Sequence, residues 1–253
     1  MRSLLKRPIL EACVDSYVSA RAAAKGGADR LELCANLPIG GTTPSRFLFE
    51  QIKRDFEIEI NVLIRPRFGD FLYSDEETEQ ICKEIELFRD LGADGVVVGA
   101  LTARGELDAE KMMRFLERTG GMNVTLHRAF DMTRDPFLAL ETAIKLGCHT
   151  ILTSGQAPSA LKGKELLKEL FQRADGRIDI MAGSGVNSGN LRELFDHTGI
   201  TTYHASAKKT LESGMEYRKA EVSMGLPSMS EYEIWQTDEN EIGKCRSILH
   251  SLR

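Results

Sequence analysis

A short phrase, Gly-x-x followed by a β-branched or leucine-containing run, recurs four times in this chain and limits its fold more than any other feature. It stands as Gly27-Ala28-Asp29 before Leu31-Glu32-Leu33 and as Gly92-Ala93-Asp94 before Val96-Val97-Val98. It returns as Gly147-Cys148-His149 before Ile151-Leu152, and more faintly as Gly199-Ile200-Thr201 before Thr202-Tyr203. Each copy follows a stretch of helical periodicity, where glycine supplies the left-handed residue that ends a helix. Neighbouring copies lie 65, 55 and 52 residues apart. That spacing is too long for one βα unit and right for two.

A second strand fits in each interval, Ile60 to Ile64, Val124 to His127 and Ile178 to Ala182, and another, Pro8 to Cys13, precedes the first copy. Amphipathic stretches alternate with these eight strands at 16–26, 44–55, 75–91, 108–119, 135–147, 159–173, 188–197 and about 238–250. Start signals stand at Ser74-Asp75, Asp108, Asp135-Pro136 and Ser159. Eight strictly alternating βα units predict an α/β fold, a single-domain (β/α)8 TIM barrel filling residues 1–253. An open doubly wound sheet is the competing arrangement. The rhythm breaks once, in the long connection Ala207–Gln236 between strand 8 and helix 8, which reads as a loop that is either a lid or a subunit contact.

Net charge is −5 and the basic residues are interleaved with acids, which argues against nucleic acid or an anionic membrane as partner. The opening MRSLLKRPILEACV is broken by Lys6, Arg7, Pro8 and Glu11 before a leader could form. No run reaches the roughly 20 apolar residues of a membrane span. Five cysteines without a CxxC pair fit a reducing compartment, and the expected location is the cytoplasm.

In a barrel, chemistry collects at the C-terminal strand ends. Alternation puts Glu11 with Cys13 on one face and Glu32 with Cys34 on one face, and burial under helices makes the inward face the better reading. Adjacent parallel strands lie about 4.8 Å apart, so the two thiols are candidate ligands for a soft ion such as Cu(I). Strand 3 ends in Arg65-Pro66-Arg67, an ion-pair network or an anion site. Strand 5 runs into His127-Arg128, with Asp131 beyond; His127 suits acid–base work near neutral pH. Gly183 and Gly185 after strand 7, and Ser206 after strand 8, stand where many barrels hold phosphate, and Lys208 would add charge there. No Walker A, no nucleophile elbow and no HExxH occurs in the chain.

The strings LEACVDS, GGADRLELCANLPIGGTTPS, IRPRFGDFLYSD, TLHRAFDM, ILTSGQ and IMAGSGV, with HASAKK and Met224-Gly225 beyond them, resemble the copper homeostasis protein CutC family. The resemblance implies a cytoplasmic (β/α)8 barrel that tends to form homodimers. It also implies Cu(I) binding through the cysteines that correspond to Cys13 and Cys34. Two functional expectations result. One is a copper homeostasis protein holding Cu(I) at Cys13 and Cys34. The other is an enzyme acting on a small anionic or phosphorylated metabolite. There Glu11, Glu32 or His127 would move protons, and Arg65, Arg67, Arg128, Gly183, Gly185 and Ser206 would hold the anion. A blander third is a scaffold that dimerises through Ala207–Gln236.

Overall fold

Strand β1 (Ile9–Val14) is followed by α1 (Tyr17–Gly26), β2 (Arg30–Leu33) by α2 (Arg46–Asp55), and β3 (Glu59–Leu63) by α3 (Asp75–Asp90). Then come β4 (Gly95–Val98), α4 (Ala109–Leu116), β5 (Asn123–Leu126), α5 (Pro136–Leu146), β6 (Thr150–Thr153) and α6 (Lys164–Ala174). The last units are β7 (Asp179–Ala182), α7 (Leu191–Thr198), β8 (Thr202–Ala205) and, after a long connection, α8 (Glu239–Ser251). This computed structural model describes residues 7–219, 222, 224–225 and 229–252. Residues 1–6, which open the stretch weighed above as a leader, lie outside the described residues, as does part of the 207–236 connection. The eight parallel strands pair in sequence order and β8 returns to β1, so the sheet is a closed barrel. This is the expected single-domain (β/α)8 fold.

The recurring phrase has a structural job beyond ending helices. Gly27, Gly147 and Gly199 are the left-handed caps of α1, α5 and α7. The third residue of the phrase then stitches the preceding strand. Asp29 Oδ2 accepts the Leu10 N–H at 2.8 Å, Asp94 Oδ2 that of Ile60 at 2.9 Å, and His149 Nδ1 that of Val124 at 3.0 Å. In the faint fourth copy the Thr201 carbonyl does the same for Ile9 at 2.9 Å. These bonds satisfy strand N–H groups at the N-terminal face of the barrel. Arg246 of α8 donates to the Pro8 carbonyl and to Asp29, tying the last helix to the first strand.

Alternation divides the strands between two cores. Leu10, Ala12 and Val14 of β1, with Leu31 and Leu33 of β2, pack outward under the helices against residues such as Phe49 and Phe88. Each such fully buried side chain contributes about 1.5–3 kcal/mol. Inside the barrel a second, small cluster consists of Cys13, Cys34, Leu63 and Val97, with Leu37 against it. Apart from Leu152 and Met181, the side chains that meet around Glu11 and the cavity are largely polar.

Two elements differ from the sequence expectation. Helix α6 begins at Lys164 rather than near Ser159, because residues 159–163 form a turn against loop 183–187; Ala160 N–H bonds the Ser184 carbonyl there. The connection after β8 is not simply a loop. Lys208–Glu212 (β9) and Glu233–Thr237 (β10) form a separate antiparallel pair, with Thr210 opposite Trp235. Among the described residues no helix is long and apolar enough to cross a membrane.

Candidate functional site

Register decides what meets inside the barrel. Glu11 lies opposite Arg30 on β2 and opposite His204 on β8, and Cys13 lies opposite Glu32. Glu11, with no exposure, is held on both oxygens. Arg30 Nε donates to Oε2 at 2.6 Å, Asn61 Nδ2 to the same oxygen at 3.2 Å, and His204 Nδ1 meets Oε1 at 2.8 Å. Burial alone would raise this carboxyl, but the His204 hydrogen bond and the Arg30 and His204 charges outweigh it and hold the pKa at about 2. For His204 burial works against the charged form. The Glu32 carboxylate, Cys13 and Glu11 prevail and hold the imidazole well above its ordinary range, as an imidazolium. Burial lifts Glu32 above the usual carboxylate range, against the pull of His204.

The thiols sit one layer nearer the mouth. Cys13 Sγ donates to Glu32 Oε2 at 3.1 Å and lies 3.8 Å from Cys34 Sγ. Its pKa is raised well above the free value, first by the hydrogen bond shared with Cys34 and then by burial. That same bond acts downward on Cys34, where burial prevails and leaves a net rise. Both are therefore protonated at neutral pH. Cys13 Sγ, a Glu32 oxygen and a His204 ring nitrogen also lie within 4.8 Å of one another.

Above them opens a cavity of about 230 Å³ whose wall includes Cys13, Glu32, Arg65, His127, Arg128, Gly185, His204 and Ser206. His127 Nδ1 accepts the Ala129 N–H at 3.2 Å, so the ring proton resides on Nε2, which is buried and finds no partner among the described residues. Burial, then the nearby Arg65 charge, push this imidazole down to about 3, so it stays neutral. Phe71 stacks on it with ring centroids 4.8 Å apart. Its other flank requires Gly99, where a Cβ would stand 2.7 Å from the His127 ring.

The CutC family profile matches residues 8–209 of the chain. The chain belongs to the CutC family. It is 45% identical over 245 residues to the human copper homeostasis protein cutC homolog, covering 96% of this chain and 90% of that one. A CutC family protein of Porphyromonas gingivalis is 46% identical over 244 residues, covering 96% and 98%. A crystal structure of CutC from Streptococcus agalactiae superposes with a TM-score of 0.76 at 30% identity, over 79% of this chain and 98% of that one.

Within this CutC barrel the expected site residues separate into groups. Cys13, Glu32, Arg65, His127, Arg128, Gly185 and Ser206 share the cavity wall. Cys34 lies behind Cys13 with no exposure. Glu11 is one layer below the cavity, locked by its three partners. Arg67 lies outside the cavity, bonded to Asp70 in the loop before α3 and to Glu77 in the first turn of that helix. Gly183 packs against Leu152 rather than facing the opening. Lys208 places its Nζ over the Trp235 ring of the β9–β10 pair, 3.1 Å from the centroid, away from the cavity wall. Asp131 accepts from the main chain of Ser154 and Gln156 and pairs with Arg128, shaping the loop after β6. Three residues of the network went unassigned in the sequence: Arg30, Asn61 and His204. For all three the available signal was alternation, since Arg30 is two residues from Glu32, Asn61 two from Leu63 and His204 two from Thr202.

Proposed function

We propose that this CutC chain serves copper homeostasis by binding Cu(I) at the barrel mouth through Cys13 and Cys34. The observation that carries the reading is the 3.8 Å separation of the two buried sulfurs. Thiolates are the soft donors that select Cu(I). The two sulfurs are close enough for one soft ion to be held by both, and a further donor would stand on the cavity side. Glu32, bonded to Cys13, is the nearest such group, and His204 would join only on giving up a ring proton. The setting we propose is the cytoplasm, where five cysteines free of disulfides are at home. The acting species we propose is a homodimer.

Because both thiols are protonated in the metal-free protein, the ion must displace protons, and affinity rises with pH toward the thiol range. Anaerobic titration of the reduced protein with Cu(I) against a competing chelator tests this. One ion per chain, bound more tightly at pH 8 than at pH 6 and lost in Cys13→Ser/Cys34→Ser, is the expected result. Binding unchanged in the double variant would end the reading.

A second reading, an enzyme acting on a small anionic metabolite, is favoured by the neutral, unpartnered His127 beside the cavity. In that reading His127 acts as a hydrogen-bond donor rather than a base, Glu32 faces the ligand as proton carrier, and Glu11 orients His204.

A further inference from the structure

Two buried groups on the cavity wall lack the partner their chemistry calls for. The first is His127, whose Nε2–H is buried beside the opening without an acceptor. A buried donor left unmade costs about 1–3 kcal/mol, and structures rarely keep one without a water, ion or ligand to meet it. The second is Arg65, which is 7% exposed. Its guanidinium donates to the carbonyls of Gly40, Gly41 and Gly69 at 3.2, 3.0 and 2.9 Å and lies over the Phe71 ring. Among the described residues it meets no carboxylate. Carbonyl dipoles meet its two terminal nitrogens, its buried Nε finds no acceptor among the described residues, and its positive charge is left uncompensated, so burial pushes its pKa down.

The other charges on this wall are already answered. Arg128 pairs with Asp131 at 2.8 Å, and His204 stands between Glu11 and Glu32. The uncompensated charge and the idle donor therefore fall together, both against Phe71. At about 230 Å³ the cavity holds roughly seven waters' volume, the size of a compound of three or four carbons with its charged group.

We propose that the mouth cavity binds a small organic oxyanion, one oxygen of which accepts the His127 Nε2–H beside the Arg65 guanidinium. Gly185 and Ser206 form the opposite wall, where a second polar group of the ligand is placed. The shared chemistry is an oxyanion, carboxylate or phosphate. The inference does not depend on copper, since neither His127 nor Arg65 is a metal ligand in the reading above.

The test uses full-length, metal-free protein with 15N-labelled histidine rings, titrated separately with 2-phosphoglycolate, glycolate and inorganic phosphate. The His127 Nε2–H resonance is expected to shift with 2-phosphoglycolate. A shift with glycolate alone assigns that position to the carboxylate, and a shift with phosphate alone assigns it to the phosphate. Calorimetric affinity should fall about tenfold or more in His127→Phe and persist in Cys13→Ser/Cys34→Ser, which separates this inference from the copper reading. If the histidine variant does not fold, the wild-type spectrum decides. His127 signals unmoved by all three compounds, or equal affinity in a folded His127→Phe protein, would overturn the proposal.

Discussion

His127 shows how one side chain's surroundings set the behaviour of the molecule in acid. Its folded pKa, about 3, lies below the ordinary imidazole value of 6.5 because the ring is buried beside Arg65. As pH falls below 6.5 the unfolded chain takes up a proton that the folded chain refuses, so stability is lost from there down to about pH 3. The slope for one such proton is about 1.4 kcal/mol per pH unit. Denaturant titrations between pH 6.5 and 4 should show the wild type losing stability more steeply than His127→Phe by about that amount. Equal slopes would mean that the ring is protonated in the fold. Glu11 acts in the same direction in a lower window: its contribution is complete above pH 4.5 and is lost as pH falls toward 2. At this scale the sequence was partly legible. Alternation alone aims Cys13, Glu32 and His127 inward. The partnership of Glu11 with Arg30, Asn61 and His204 depends on register between strands, which no single strand encodes.

Among the elements, the β9–β10 pair is the one least visible in the sequence. Lys208 to Glu212 has little alternation of apolar and polar residues, and its partner strand comes some twenty residues later, so no short turn signal joins them. Helix α6 was misjudged at its start for a related reason: Ser159 resembles a cap, but its hydroxyl serves a turn and accepts from Lys162. Leu211 and Ile234 of the β9–β10 pair, with Met215 and Tyr217 in the connection after β9, are exposed to solvent. Such apolar exposure on one hairpin suits contact with a second copy. Removing residues 213–231 should convert a dimer into a monomer in sedimentation velocity and leave the helical signal of the barrel intact. A wild-type chain that sediments as a monomer would contradict the homodimer.

For the whole molecule, the four-fold repetition divides the labour between the two ends of the barrel. The phrase residues Asp29, Asp94 and His149 secure the N-terminal face, and the thiols, imidazoles and cavity lie at the other. Stability and function should therefore respond to different substitutions. Asp94→Ala leaves the Ile60 N–H without its acceptor and is expected to cost about 1–3 kcal/mol in chemical denaturation. Cu(I) affinity in that variant should stay at the wild-type value; a parallel loss of affinity would show that the two ends are coupled. The fold was legible because this repetition is written into the chain at regular intervals. The interior network was not, since a closed ring brings together residues as distant in sequence as Glu11 and His204.

Cys13 borders the cavity, whereas Cys34 stands behind it under Leu37 and Gly41. That depth difference becomes an order of events in time. On the proposed Cu(I) reading, an incoming ion would meet Cys13 before Cys34 and would depart by the reverse sequence. A bulky chelator can approach only the outer sulfur. On that reading, residence on the protein would be set by the opening of the inner bond rather than by encounter, so the site would equilibrate slowly even with a partner that competes well for the same cargo.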